Sequence, residues 1–117
     1  MKKVKIDFGN DQMVIHERSS AEKFNYKEIL CITYDAPYVR LRTAFGRGKL
    51  FFYSLKELIT QLPEDFFQCS RSTIVNRLHV IRYHTKDKIT FVTMRSGEPF
   101  PVSRRHKNKL TRLLTIK

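Results

Sequence analysis

Tyr38-Val39-Arg40-Leu41-Arg42-Thr43-Ala44-Phe45-Gly46-Arg47-Gly48-Lys49-Leu50-Phe51-Phe52-Tyr53 carries the clearest structural pattern in the chain. Side chains alternate along an extended chain. Val39, Leu41 and Thr43 therefore share one face, and Tyr38, Arg40 and Arg42 the other. Phe45-Gly46-Arg47-Gly48 reads as a turn, and Lys49 to Tyr53 as the return strand. The period then changes. Ser54-Leu55-Lys56-Glu57 is a capping-box pattern: the Ser54 hydroxyl can accept from the Glu57 amide while the Glu57 carboxylate reaches back. Leu55, Leu58, Ile59 and Leu62 form one apolar stripe at helical spacing, and Pro63 ends the helix.

The same reading extends outward in both directions. Val4, Ile6 and Phe8 alternate with Lys5 and Asp7, and after the Gly9-Asn10-Asp11 turn signal a second strand covers Met13 to His16. Ile29 to Tyr34 is an apolar, β-branched run. Strands are predicted over Val80 to Thr85, Lys88 to Met94 and Pro99 to Val102, with turns at Lys86-Asp87 and Ser96-Gly97. A second helix is predicted from Ser103, a good N-cap, through Leu110, Leu113 and Leu114, with Arg104, Arg105, Lys107 and Lys109 on its other face. No linker, repeat or low-complexity tract interrupts the chain. At 117 residues it reads as one domain over 1–117, mainly β with one or two short helices.

Charge is unevenly placed. Lys and Arg number 23 and Asp and Glu 11, a formal net charge of +12. Residues 1–35 carry six of each sign, so the whole excess falls on residues 36–117, and residues 104–117 hold six Lys/Arg and no acid. Such a field attracts polyanions, nucleic acid first and an anionic membrane surface second; a merely solvated basic face is the plain alternative. No apolar run approaches the roughly 18 residues needed to span a bilayer. The basic start at Lys2-Lys3 lacks the apolar stretch of a signal peptide. Cys31 and Cys69 fit neither a disulfide framework nor a metal spacing, and His16, His79, His84 and His106 form no ligand pattern. A reducing cytoplasm is the expected compartment, and neither metal nor cofactor is expected.

Catalytic signatures are missing as well. There is no nucleophile elbow and no phosphate-binding glycine loop. Cys69 between apolar segments reads as a small core residue. The chain is expected not to be an enzyme and to take no small-molecule substrate.

Basic residues gather in three places. In Phe66-Phe67-Gln68-Cys69-Ser70-Arg71-Ser72-Thr73-Ile74-Val75-Asn76-Arg77, Arg71 stands between hydroxyls. Its planar fork suits a phosphate or a guanine edge, the alternative being an ion pair with Glu64 or Asp65. Asn76 reads as closing a turn through its side chain. In Pro101-Val102-Ser103-Arg104-Arg105-His106-Lys107, two arginines fall in a first helical turn, where the dipole disfavours cations unless an anion arrives. In Asp35-Ala36-Pro37-Tyr38-Val39-Arg40, an aromatic lies beside a Pro-containing bend with Arg40 and Arg42 on its own face. Tyr38 there either touches a sugar-phosphate backbone or caps the core edge.

Taken in order, these segments resemble the LytTR-type DNA-binding domain, the output module of many bacterial response regulators in two-component systems. Tyr26-Lys27-Glu28-Ile29-Leu30-Cys31-Ile32 resembles the family's opening strand, and Tyr38 to Thr43 its next. Ser54 to Leu58 with Leu62-Pro63 resembles its helix, and Phe66 to Ser72 with Ile74-Val75-Asn76 its most distinctive stretch. Gly97 to Val102 followed by Ser103-Arg104 resembles its closing segment. The resemblance covers about residues 3–114.

It implies several short antiparallel β-sheets with short helices, presenting loops to successive major grooves of double-stranded DNA. It places contacts at Tyr38, Arg71 and Arg104; the first of these is often a His or another polar residue in the family. Together with the charge pattern, the candidate DNA-binding set is Tyr38, Arg40, Arg71, Ser72, Arg104, Arg105 and Lys107. Family members usually carry a receiver or membrane segment, so this chain reads as a stand-alone regulator or an excised domain. The expected function is a sequence-specific transcriptional regulator, pairing on repeated half-sites as a DNA-templated homodimer. The alternative is a signalling module that binds an acidic protein partner or an anionic surface.

Overall fold

The computed structural model describes residues 2–107. Eleven strands run in chain order: β1 (Lys5–Phe8), β2 (Gln12–His16), β3 (Ala21–Asn25), β4 (Ile29–Asp35), β5 (Tyr38–Thr43), β6 (Gly48–Phe51), β7 (Phe66–Ser70), β8 (Thr73–Asn76), β9 (Val80–Lys86), β10 (Ile89–Met94) and β11 (Pro99–Val102). One helix, α1 (Leu55–Gln61), separates β6 from β7. Single 3-10 turns at Tyr26–Glu28 and Arg77–His79 lead into β4 and β9. Residues 104–107 are helical, and the predicted stripe at Leu110, Leu113 and Leu114 lies outside the described residues.

The strands form three antiparallel sheets. A five-stranded sheet in the order β6-β5-β4-β8-β7 lies between two three-stranded ones, β1-β2-β3 and β11-β10-β9. Its alternate residues feed two separate cores. Ile32, Val39, Leu41, Phe51, Phe66 and Ile74 pack with Met13, Ile15 and Phe24 of the first sheet and with Leu55, Leu58 and Leu62 of the helical segment. Cys31, Phe67, Cys69 and Val75 pack with Val92, Met94 and Val102 of the last sheet. A strand covered on both faces loses the polar–apolar alternation of a one-sided strand. That is why β8 is buried at all four positions.

The expected hairpin appears, its return strand starting one residue earlier and ending two residues earlier than Lys49 to Tyr53. β6 spans Gly48–Phe51, with Val39 opposite Phe51 and Arg42 opposite Gly48. α1 forms where the capping box placed it, the Glu57 amide donating to Ser54 Oγ at 3.2 Å. The reciprocal arm differs: the Glu57 carboxylate meets Lys3 Nζ at 2.7 Å. Three strands were not expected from periodicity. β3 carries a single buried apolar residue, Phe24, opposite Met13 and beneath the Arg47 guanidinium at 4.2 Å. β7 and β8 are the strands that the two-sided burial disguises.

Asn76 closes the turn into β9, its Oδ1 accepting from the Leu78 amide at 3.1 Å. It does more than that. Fully buried, it also donates Nδ2 to the Tyr26 and Ile29 carbonyls, both at 2.9 Å, and so ties the end of β8 to the start of β4.

Candidate nucleic-acid interface

Antiparallel pairing decides which loops are neighbours. β4 and β8 pair through Thr33 opposite Thr73, so the β4–β5 tip (35–38) and the β7–β8 tip (70–73) emerge from the same end of the central sheet. Two strand spacings, about 10 Å, separate their centres. The Tyr34 amide donates to the Ser72 carbonyl at 2.8 Å and locks the two tips side by side. The third segment joins through a second backbone bond: the Ser103 amide donates to the Cys69 carbonyl at 2.8 Å, just where β11 ends. The three basic segments picked out in the sequence thus form one rim.

Within the rim, Arg71 and Ser72 are exposed at the tip of a hairpin whose register shifts between Gln68 and Ser70. Ser70 Oγ shapes that tip, accepting from the Ser72 amide at 3.2 Å and lying 3.3 Å from Ser72 Oγ. The alternative pairing of Arg71 is not taken up: Asp65 is engaged by Arg77, whose Nε donates to it at 3.1 Å. Arg104 and Arg105 are exposed as well. Among the described residues, Arg71, Arg104 and Arg105 have no carboxylate within ion-pairing distance. Ser103 Oγ lies 2.6 Å from His106 Nδ1, which fixes the first turn that Arg104 and Arg105 occupy.

Arg40 differs from these. Its Nε and Nη2 donate to Asp35 Oδ2 at 3.1 and 2.8 Å. The pair is exposed and so contributes little to stability, at most about 1 kcal/mol. It does neutralise the acid at the first tip. Tyr38 is half-buried opposite Asp35. Lys107 is exposed on the helical residues 104–107.

Two rim features escaped sequence reading. Tyr34, 54 % exposed, sits between the first two tips, although it closes an apolar run that reads as core. The tip of the β9–β10 hairpin reaches the rim too, because Thr90 pairs with Val102 and Ile89 with Lys86. Ser103, one residue past Val102, therefore leaves the sheet beside that tip.

Cations elsewhere contrast with those of the rim. A cleft of about 760 Å³ between the β5–β6 hairpin and the Arg95–Ser96 turn is lined by Arg40, Arg42, Arg47, Lys49 and Arg95. Arg42 pairs with Glu98 at 2.7 Å, Arg47 with Glu22 at 3.2 Å, and Lys49 with Glu17 and Glu22, while Arg95 donates to the Leu78 carbonyl at 3.1 Å. Most of the cleft's charge is thus internally balanced. The Cys69 and Cys31 thiols are wholly buried. Burial pushes Cys69 up to about 12 and Cys31 to about 11, which leaves both protonated and unfit as nucleophiles at neutral pH. Among the described residues no group of His, Cys, Asp or Glu could hold a metal ion, and no helix is long and apolar enough to cross a membrane.

A family model described as the LytTr DNA-binding domain matches residues 19–115. No curated protein sequence matches the chain. Among solved structures, the chain is similar to the LytTr DNA-binding domain of a protein described as a methyl-accepting/DNA response regulator from Bacillus cereus. The match has a TM-score of 0.75 at 21 % identity and covers 92 % of this chain and 100 % of that one. At that identity the likeness is one of fold.

Proposed function

The chain belongs to the LytTr DNA-binding domain family, and from that premise we propose that it is a cytoplasmic, sequence-specific regulator of transcription in a two-component system, and that its rim is what meets double-stranded DNA. The observation that carries the reading is the convergence of three separately encoded basic segments onto one rim through the Tyr34–Ser72 and Ser103–Cys69 backbone bonds. Unpaired guanidinium groups at Arg71 and Arg104 have the geometry for bidentate contact with a guanine edge or a phosphate. Arg105 and Lys107 neutralise backbone phosphate, Ser72 hydrogen-bonds to it, and Tyr38 packs on the sugar beside it. Arg40, by holding Asp35, keeps a carboxylate from repelling the duplex. The loops of the rim enter successive major grooves with backbone contact between them, and two copies pair only when repeated half-sites bring them together.

Selection of random duplexes by the purified chain at about 150 mM salt, where weak electrostatic binding is trimmed, tests this reading. A compact enriched motif, repeated about one helical turn apart, is the expected result. Tight low-salt binding without enrichment, equalled by heparin, contradicts it and favours an acidic protein partner or another polyanion.

A further inference from the structure

We propose that the tip of the β9–β10 hairpin, Lys86 and Lys88 flanking Asp87, is a fourth contact of the rim and clamps DNA phosphates just outside the segment met by the third loop. The inference rests on the DNA-binding reading above and extends it. Placement is the first support. Val102 is opposite Thr90 and Lys86 opposite Ile89, so the tip projects beside Ser103 and Arg104 and lengthens the rim past them.

Chemistry is the second support. Arg82, Lys86 and Lys88 are all exposed, and among the described residues none has a carboxylate within ion-pairing distance. Arg82, His84 and Lys86 alternate along β9 and so share its outward face. The His84 ring stacks on Phe91 at 5.6 Å and stiffens that face.

The backbone supplies the third. Asp87 and Lys88 both have positive φ, 52° and 69°, as a two-residue type I′ hairpin turn demands. Asp suits the first position, but the second favours glycine. A lysine held there works against the local preference of the chain. Residues kept in such a conformation cluster at functional sites. A flexible ammonium beside a basic rim fits a phosphate. It suits base recognition less well than a planar, bidentate guanidinium does. The tip should therefore add affinity without adding sequence preference.

Fluorescence anisotropy of the full chain on a duplex of about 30 base pairs carrying the selected motif, and on its shuffled counterpart, tests the proposal. Lys86→Ala with Lys88→Ala should weaken both duplexes by a similar factor, about tenfold at about 150 mM salt, and flatten the log K against log salt slope by about 1.8. Lys88→Gly should raise Tm yet weaken binding. Asp87→Asn, which keeps the turn and removes the acid, should tighten it. Arg104→Ala serves as the contrast, reducing the preference for the motif. Wild-type affinity and slope in the double variant, with Arg104→Ala still impaired, overturn the clamp while leaving the DNA-binding reading intact. A fall in Tm with Lys88→Gly also overturns it, since the lysine would then be serving the turn. Equal and weak binding of the wild-type chain to both duplexes overturns the parent reading, and the clamp with it.

Discussion

Arg71 and Arg104 are exposed cations without carboxylate partners, on loops fixed at their bases by backbone hydrogen bonds. A guanidinium that already has its position needs little ordering when a base edge arrives. Replacing Arg104 with Ala should cost about 1–3 kcal/mol on the selected duplex and much less on a shuffled one, read as the ratio of the two Kd values. An equal loss on both would make it a phosphate contact. Asn76 tests a different part of the account. Its side chain satisfies two carbonyls and one amide in the core. Asn76→Ala leaves those groups bare and should destabilise the fold by on the order of 3 kcal/mol in urea titration. The thiols give a pH prediction. Burial raises the Cys31 and Cys69 thiols from the ordinary thiol range to about 11 and about 12. Above about pH 9 the unfolded chain therefore releases protons that the folded chain retains, so stability should fall from there towards pH 12. Below pH 9 both thiols should resist alkylation until the protein unfolds.

Among the elements, α1 rests on its cap. Its seven residues are too few to be stable alone, and Ser54 Oγ satisfies an amide of the first turn. Ser54→Ala should cost about 1 kcal/mol, measurable as a shift of the urea midpoint at unchanged slope. This element was legible in the sequence because its signals are local: a cap, a stripe and a terminating proline. β5 and its hairpin with β6 were legible because Val39, Leu41 and Thr43 are buried while Arg40 is not. Legibility ended where burial became two-sided. Phe66-Phe67 and Ile74-Val75 each send one side chain to either core, so no period of two survives. β3 went unread for the opposite reason, since Phe24 alone makes no pattern. The basic segments were visible as charge. That they share a rim was not, because the bonds joining them, Tyr34 to Ser72 and Ser103 to Cys69, link residues more than thirty apart in sequence. Tyr34 and the 86–88 tip were missed with them.

Over the whole molecule, charge and shape act together. The described residues extend 47 Å along the longest axis. That exceeds the roughly 34 Å of one duplex turn, a dimension compatible with the proposed contact with successive major grooves. On the proposed reading its +12 charge should speed encounter with DNA, and with the cleft internally balanced the unpaired arginines of the rim should fix the orientation. Neutralising about six phosphates should give a salt slope near −5. The most direct test of the rim is a map of backbone amide shifts during titration with the selected duplex. The largest changes should fall on residues 35–38, 70–73, 86–88 and 103–107. Residues 9–11, 25–28 and 63–66, at the Asn76 end of the central sheet, should stay still. Large shifts centred on that end, or on the cleft between β6 and the Arg95–Ser96 turn, would contradict it.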